Sequence, residues 1–115
     1  MFFRDSKTKG VQKEFKDLEA IMSGLGFFRG AWDYTKATYD IKYTVDEVDY
    51  YLRLRAVVVN KKQLESPKAR LELDVPYFVR HFFPHGMDEN SEIPAELTEE
   101  VHQKVAELEN ALASA

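Results

Sequence analysis

The sequence predicts an α+β domain. An antiparallel sheet of four or five strands carries an N-terminal and a C-terminal helix packed on one face, a two-layer sandwich. Three observations predict it. Apolar residues recur at helical spacing near both ends. They alternate with polar residues at period two through the middle. The chain has 115 residues, 13% of them aromatic and none cysteine, which suits one domain over residues 1–115 with a small but heavy core.

The first helix is expected from about Thr8 to Ser23. Val11, Phe15, Leu18 and Met22 fall on one face and Ile21 widens it. Ser6 or Thr8 is placed to cap its start and Gly24 to end it in a left-handed turn. A short strand near Phe27–Asp33 follows, weakened by Gly30. Tyr39, Ile41, Tyr43 and Val45 then form one apolar row, with Asp40, Lys42 and Thr44 facing the other way. A turn at Asp46–Asp49 leads to a second row of Tyr50, Leu52, Leu54, Ala56 and Val58. A polar connection over Asn60–Pro67 leads to a third, Ala69, Leu71, Leu73 and Val75.

Charges on the wet face suggest the register. Pairing 46 with 49 sets Asp40 opposite Arg55 and Lys42 opposite Arg53. Pairing 60 with 67 sets Arg55 opposite Glu72 and Arg53 opposite Asp74, keeping every apolar row on one face. From Pro76 the alternation fails, with Phe78 and Phe82 on one side and Tyr77, Val79 and Phe83 on the other. An extended strand buried on both sides fits this better than a short helix opened by Pro76. Pro84 and Gly86 mark a turn, and Met87–Glu92 reads as an acidic loop. The last helix starts at Pro94 or Thr98 and runs to Leu112, with Leu97, Val101, Val105, Leu108 and Leu112 on its inner face. His102 falls on its solvated side.

Composition narrows the functions. Net charge is -4, split between +3 over residues 1–62 (12 basic, 9 acidic) and -7 over residues 63–115 (4 basic, 11 acidic). The positives are interleaved with acids, so nucleic acid is not expected as a partner. The acidic end argues against an anionic membrane surface. No apolar run approaches the roughly 20 residues that cross a bilayer. With no cysteine and no secretory leader, the cytoplasm is the expected location. Nucleophile elbows and glycine-rich phosphate loops are missing, so no cofactor is expected.

Three groups of residues carry possible chemistry. His81 and His85, with Asp88 and Glu89, are of metal-ligating type. On a straight strand the two histidines would stand roughly 13 Å apart, so only a turn at Pro84 brings them together. Arg29 and Arg80 have no partner visible in the sequence and are candidates for an anion site. Trp32 and Tyr34, beside Gly30, are candidates for a contact surface, or Trp32 lids the end of the core.

The runs Trp32-Asp33-Tyr34 through Thr38-Tyr39-Asp40, Tyr50-Tyr51-Leu52-Arg53 and His81-Phe82-Phe83-Pro84-His85-Gly86 resemble the YugN-like family of small bacterial proteins. The resemblance implies a soluble cytoplasmic bacterial protein with one α+β domain. It brings with it no activity and no catalytic residue.

The expected function is therefore a non-enzymatic cytoplasmic binding or protein-interaction module. The alternative is a small metal-dependent or anion-binding protein using His81, His85, Arg29 and Arg80. Exposed sheet edges make a homodimer an expected way to cover them.

Overall fold

The structure is a computed structural model, described here for residues 1–81 and 86–114. The elements are β1 (Gln12–Glu14), α1 (Phe15–Gly24), β2 (Phe28–Trp32), β3 (Lys36–Val45), β4 (Val48–Val58), β5 (Arg70–Leu73), β6 (Tyr77–His81), β7 (Met87–Asp88) and α2 (Ala95–Ser114). The seven strands form one antiparallel sheet, two more than the upper expectation. The extra pieces are short edge strands, β1 and β7, too brief to show a period in sequence.

The β3–β4 hairpin is the axis of the molecule. Ten pairs join it, from Lys36↔Val57 to Val45↔Val48. The connection is the two residues Asp46 and Glu47, both at positive φ (50° and 66°). Such a turn matches the right-handed twist of the strands. It is as long as the expected loop but lies one residue earlier in the chain, between Val45 and Val48, so the register slips by two. Asp40 faces Arg53, not Arg55, and Lys42 faces Tyr51. A slip of two preserves parity, so the apolar rows keep their face as expected.

Beyond β3, the β4 strand carries two shorter strands in succession along its other edge. β5 pairs with residues 56–58 and β6 with residues 50–53. The β4–β5 register also differs by two, with Val57 opposite Glu72. Between β5 and β6 one extra residue enters at Asp74–Pro76. This reverses the parity: Leu71 and Leu73 face the helices, and so does Phe78, while Tyr77 and Val79 point to the opposite face. The expected failure of alternation is this bulge, and the segment is extended, as expected.

The first helix begins seven residues later than its stripe suggests. Val11 sits beside an edge strand, with Gly10 N donating to Leu73 O (2.8 Å) and Leu73 N to Val11 O (2.8 Å). No side chain caps α1. Its first amides donate to backbone carbonyls instead, Phe15 N to Ala69 O (2.7 Å) and Lys16 N to Pro67 O (3.3 Å). At the far end Gly26 (φ 92°), not Gly24, takes the left-handed conformation.

Both helices contribute to one apolar cluster with the sheet. Phe15, Leu18 and Met22 from α1 and Leu97, Val101, Val105, Leu108 and Leu112 from α2 join Tyr39, Leu52, Leu54, Leu71 and Phe78. The two-layer arrangement is thus as expected, and the opposite face of the sheet is left without a helix. No helix among the described residues is long and apolar enough to cross a membrane.

Candidate functional site

At the β2 end of the sheet a bulge assembles a cluster that the sequence pattern conceals. Arg29 pairs with Tyr39 and Trp32 with Ala37, so β2 has one residue too many between them. Residues three apart on a regular strand point to opposite faces. The extra residue puts Arg29 and Trp32 on the same face, the one bearing the helices. The Arg29 guanidinium then lies 4.7 Å from the Trp32 ring centroid and 5.2 Å from that of Phe15. Its charge is met by Glu65 (3.0 Å) and more loosely by Glu19 (3.8 Å). Glu19 also accepts a 2.6 Å hydrogen bond from the Tyr39 hydroxyl. Burial, and then that bond, raise the Tyr39 pKa.

Arg29 is therefore the post on which Trp32 rests. With two carboxylates already on it, it offers no net positive charge to an anion. Phe15, Glu19 and Glu65 were missing from the sequence-derived site. The Phe15–Glu19 pair at i, i+4 was visible; the reach of Glu65, in a loop at φ 76°, was not.

The β2–β3 turn is held just as firmly. Asp33 Oδ1 accepts from Thr35 N (2.8 Å), Thr35 Oγ1 (2.9 Å) and Lys36 N (3.0 Å). These bonds, the Thr35 amide first, lower the Asp33 pKa. The turn presents Tyr34, whose carbonyl accepts from Leu64 N (2.9 Å). Tyr34 is 66% exposed, Trp32 43% and Phe28 51%. Three exposed aromatics thus fall within seven residues on or beside β2. Among the described residues no strand pairs with the outer side of β2.

The other expected site residues do not converge on this cluster. Arg80 lies three strands away across β6, β4 and β3, and about four residues along, so it is roughly 20 Å from Arg29. The two do not form one anion pocket. Asp88 faces Arg80 across the β6–β7 pair, on the helix side, and its Oδ1 accepts from Asn90 N (3.0 Å). His81 pairs with Met87, on the opposite face. Glu89 reaches Arg55 (3.6 Å). Asp88, Glu89 and His81 are thus directed apart, and no group of three metal-ligating side chains gathers among the described residues. His85 and the Pro84 turn lie outside the described residues. His102 is exposed and packs edge-on against Phe3 at 5.5 Å.

The helix-free face carries a second set of polar contacts. Asp40 is 4% exposed and takes two bonds from Arg53, Nε to Oδ1 (2.7 Å) and Nη2 to Oδ2 (3.1 Å). A Cβ at Gly30 would come within 3.2 Å of Asp40 Oδ2, so a larger residue in the bulge would have to push this carboxylate aside by a few tenths of an ångström. Tyr77 lies opposite Arg53, stacked on Phe2 at 4.9 Å.

The YugN-like family model matches residues 4–112. The chain is 30% identical over 113 residues to the uncharacterized protein YlbA of Bacillus subtilis (strain 168), covering 96% of this chain and 93% of that one. It superposes with a TM-score of 0.84 and 30% identity on the crystal structure of the uncharacterized conserved protein YugN from Geobacillus kaustophilus HTA426, covering 99% of this chain and 96% of the other. With its fold and nearly its whole length matched in this way, the chain belongs to the YugN-like family.

Proposed function

We propose that this chain is a non-enzymatic binding module of the bacterial cytoplasm, and that it docks an extended apolar segment of a partner protein along β2. One observation carries the reading. Phe28 and Trp32, on opposite faces of β2, and Tyr34, in the turn that follows, are all exposed along a strand whose outer side has no described partner. Edge strands offer main-chain hydrogen bonds in a row, and neighbouring aromatic side chains select what pairs there. Trp32 is also pre-organised. Its ring is stacked on an arginine fixed by two carboxylates, so little freedom is lost on binding. The cysteine-free composition supports the cytoplasmic location.

Selection from a displayed library of random peptides against the purified full chain tests this. Enriched peptides should alternate apolar residues and protect the β2 amides from exchange. The Phe28→Ala/Trp32→Ala pair should weaken them by about thirtyfold, as truncation of interface anchors does. Peptides that bind the pair variant equally well overturn the proposal. So does a concentration-dependent dimer, seen by light scattering, that the same variant abolishes, because a second copy would then be the occupant.

A further inference from the structure

We propose that the helix-free face of the sheet holds a second binding site, for an oxyanion, built from Arg53, Arg55 and Tyr77 and closed in the unliganded chain by Glu89. It shares no residue with the β2 surface. Arg53 and Arg55 stand two apart on β4, so both point to this face, their Cα atoms about 7 Å apart. Tyr77 is directly opposite Arg53 on β6 and is only 2% exposed. The Arg55 guanidinium lies 4.8 Å from its ring centroid. Phe2 stacks on the same ring, and Arg4 lies 5.0 Å from the Phe2 centroid.

Two features set this group apart from an ordinary ladder of surface charges. The first is the Tyr77 hydroxyl. It is buried, lies beside the Arg53 guanidinium, and makes no hydrogen bond of normal geometry. Buried tyrosine hydroxyls nearly always find a partner, and Arg53 can only donate, so the Tyr77 proton is without an acceptor. The second is the contact between Arg55 and Glu89. A single carboxylate oxygen approaches at 3.6 Å, well beyond the 2.7–2.9 Å of a charge-assisted bond, and both side chains are about half exposed. Arg53, by contrast, is gripped by Asp40 through two donors. Arg53 is thus neutralised and fixed, while Arg55 is held loosely by a carboxylate from the turn after β7.

Displacing Glu89 would leave one uncompensated positive charge on a planar guanidinium fork that lies over the Tyr77 ring. Carboxylate and phosphate oxygens suit such a fork. Glu89 is then an internal stand-in for the ligand's own oxyanion. Of the other charges on this face, Lys42 and Asp49 pair with each other at 3.5 Å, and Glu72, opposite Val57, accepts from Gln12 Nε2 at 3.2 Å.

Titrating the full chain with inorganic phosphate and, separately, with acetate tests the site by NMR of the arginine Nε–Hε groups. Binding should move the Arg53 and Arg55 signals and leave Arg70 still, and the stronger of the two ligands identifies the oxyanion class. Glu89→Gln should tighten binding about fivefold by removing the competitor. Arg55→Ala should weaken it at least tenfold. Arg55→Lys, which keeps the charge but not the fork, should also weaken it, and covers the case in which the alanine variant does not fold. Absence of shifts at about 10 mM ligand in both the wild type and Glu89→Gln, a dissociation constant too weak to use, overturns the proposal. Equal shifts at Arg70, or unchanged binding in the Arg55 variants, overturn it too.

Discussion

At the scale of single residues, the ion pair between Asp40 and Arg53 is the most exacting feature. A carboxylate 4% exposed would be strongly destabilising alone, and the two bonds from Arg53 are what make it tolerable. The pairing raises the Arg53 pKa, the hydrogen bond from Arg53 to Asp40 being the main cause. Asp40→Asn keeps the shape but leaves a guanidinium, itself only 19% exposed, without its charge partner. The expected loss is about 3 kcal/mol in urea unfolding at neutral pH. The double variant Asp40→Leu/Arg53→Met removes both charges and should fall within about 1 kcal/mol of the wild type. A double variant less stable than Asp40→Asn would show that packing around Gly30, not charge pairing, dominates here.

At the scale of elements, the hairpin shows what a sequence pattern conveys and what it does not. Apolar rows at 39–45 and 50–58 stated which face is buried, because burial acts on every second residue. They were silent on a slip of two, which leaves both rows intact. The deciding information sat in the turn, where Asp46 and Glu47 both adopt positive φ, a conformation that Glu resists. Glu47→Gly should therefore raise the urea midpoint, by about 0.5–1 kcal/mol of stability, with no change in register. A loss of stability would mean that the Glu47 side chain makes a contact worth more than its backbone strain. The two bulges were hidden for a related reason. At Asp74–Pro76 and at Gly30–Ala31 an added residue flips the parity, so Tyr77 reads as misplaced and Arg29 seems to turn away from Trp32. Gly30 and Pro76 were the only local signs. The candidate site was half legible on that account: Arg29, Trp32 and Tyr34 were recognisable by type, but their ion-pair supports came from α1 and from the loop after β4. Arg53 and Arg55 were read as parts of a charge ladder whose register was two residues away.

At the scale of the whole molecule, tyrosines tie the sheet to both helices and set its response to alkali. Tyr39 reaches α1 through Glu19. Tyr43 lies near Glu100 and Glu107 of α2, and Tyr77 is buried on the other face. Burial is the first cause of a raised pKa in all three, and Tyr43 is pushed up to about 12. A raised tyrosine pKa means that the folded chain keeps its proton at a pH where the unfolded chain has lost it. Their contribution to stability is fully present below about pH 10, the unfolded value. It is lost as the pH rises from there through the folded value, about 12 for Tyr43. The urea midpoint should accordingly stay level from about pH 7 to 9 and fall steeply by about pH 11. Substitutions separate the contributors. The Tyr43 hydroxyl is buried and makes no hydrogen bond, so Tyr43→Phe should cost nothing at neutral pH, gain up to about 1 kcal/mol, and flatten the alkaline fall. Tyr39→Phe discards a 2.6 Å bond to Glu19 and should cost about 1 kcal/mol at neutral pH. A midpoint that stays level to about pH 11 in the wild type would show that these phenols ionise in the folded chain as readily as in the unfolded one. The two layers would then be held together without help from the hydroxyl ends of their largest side chains.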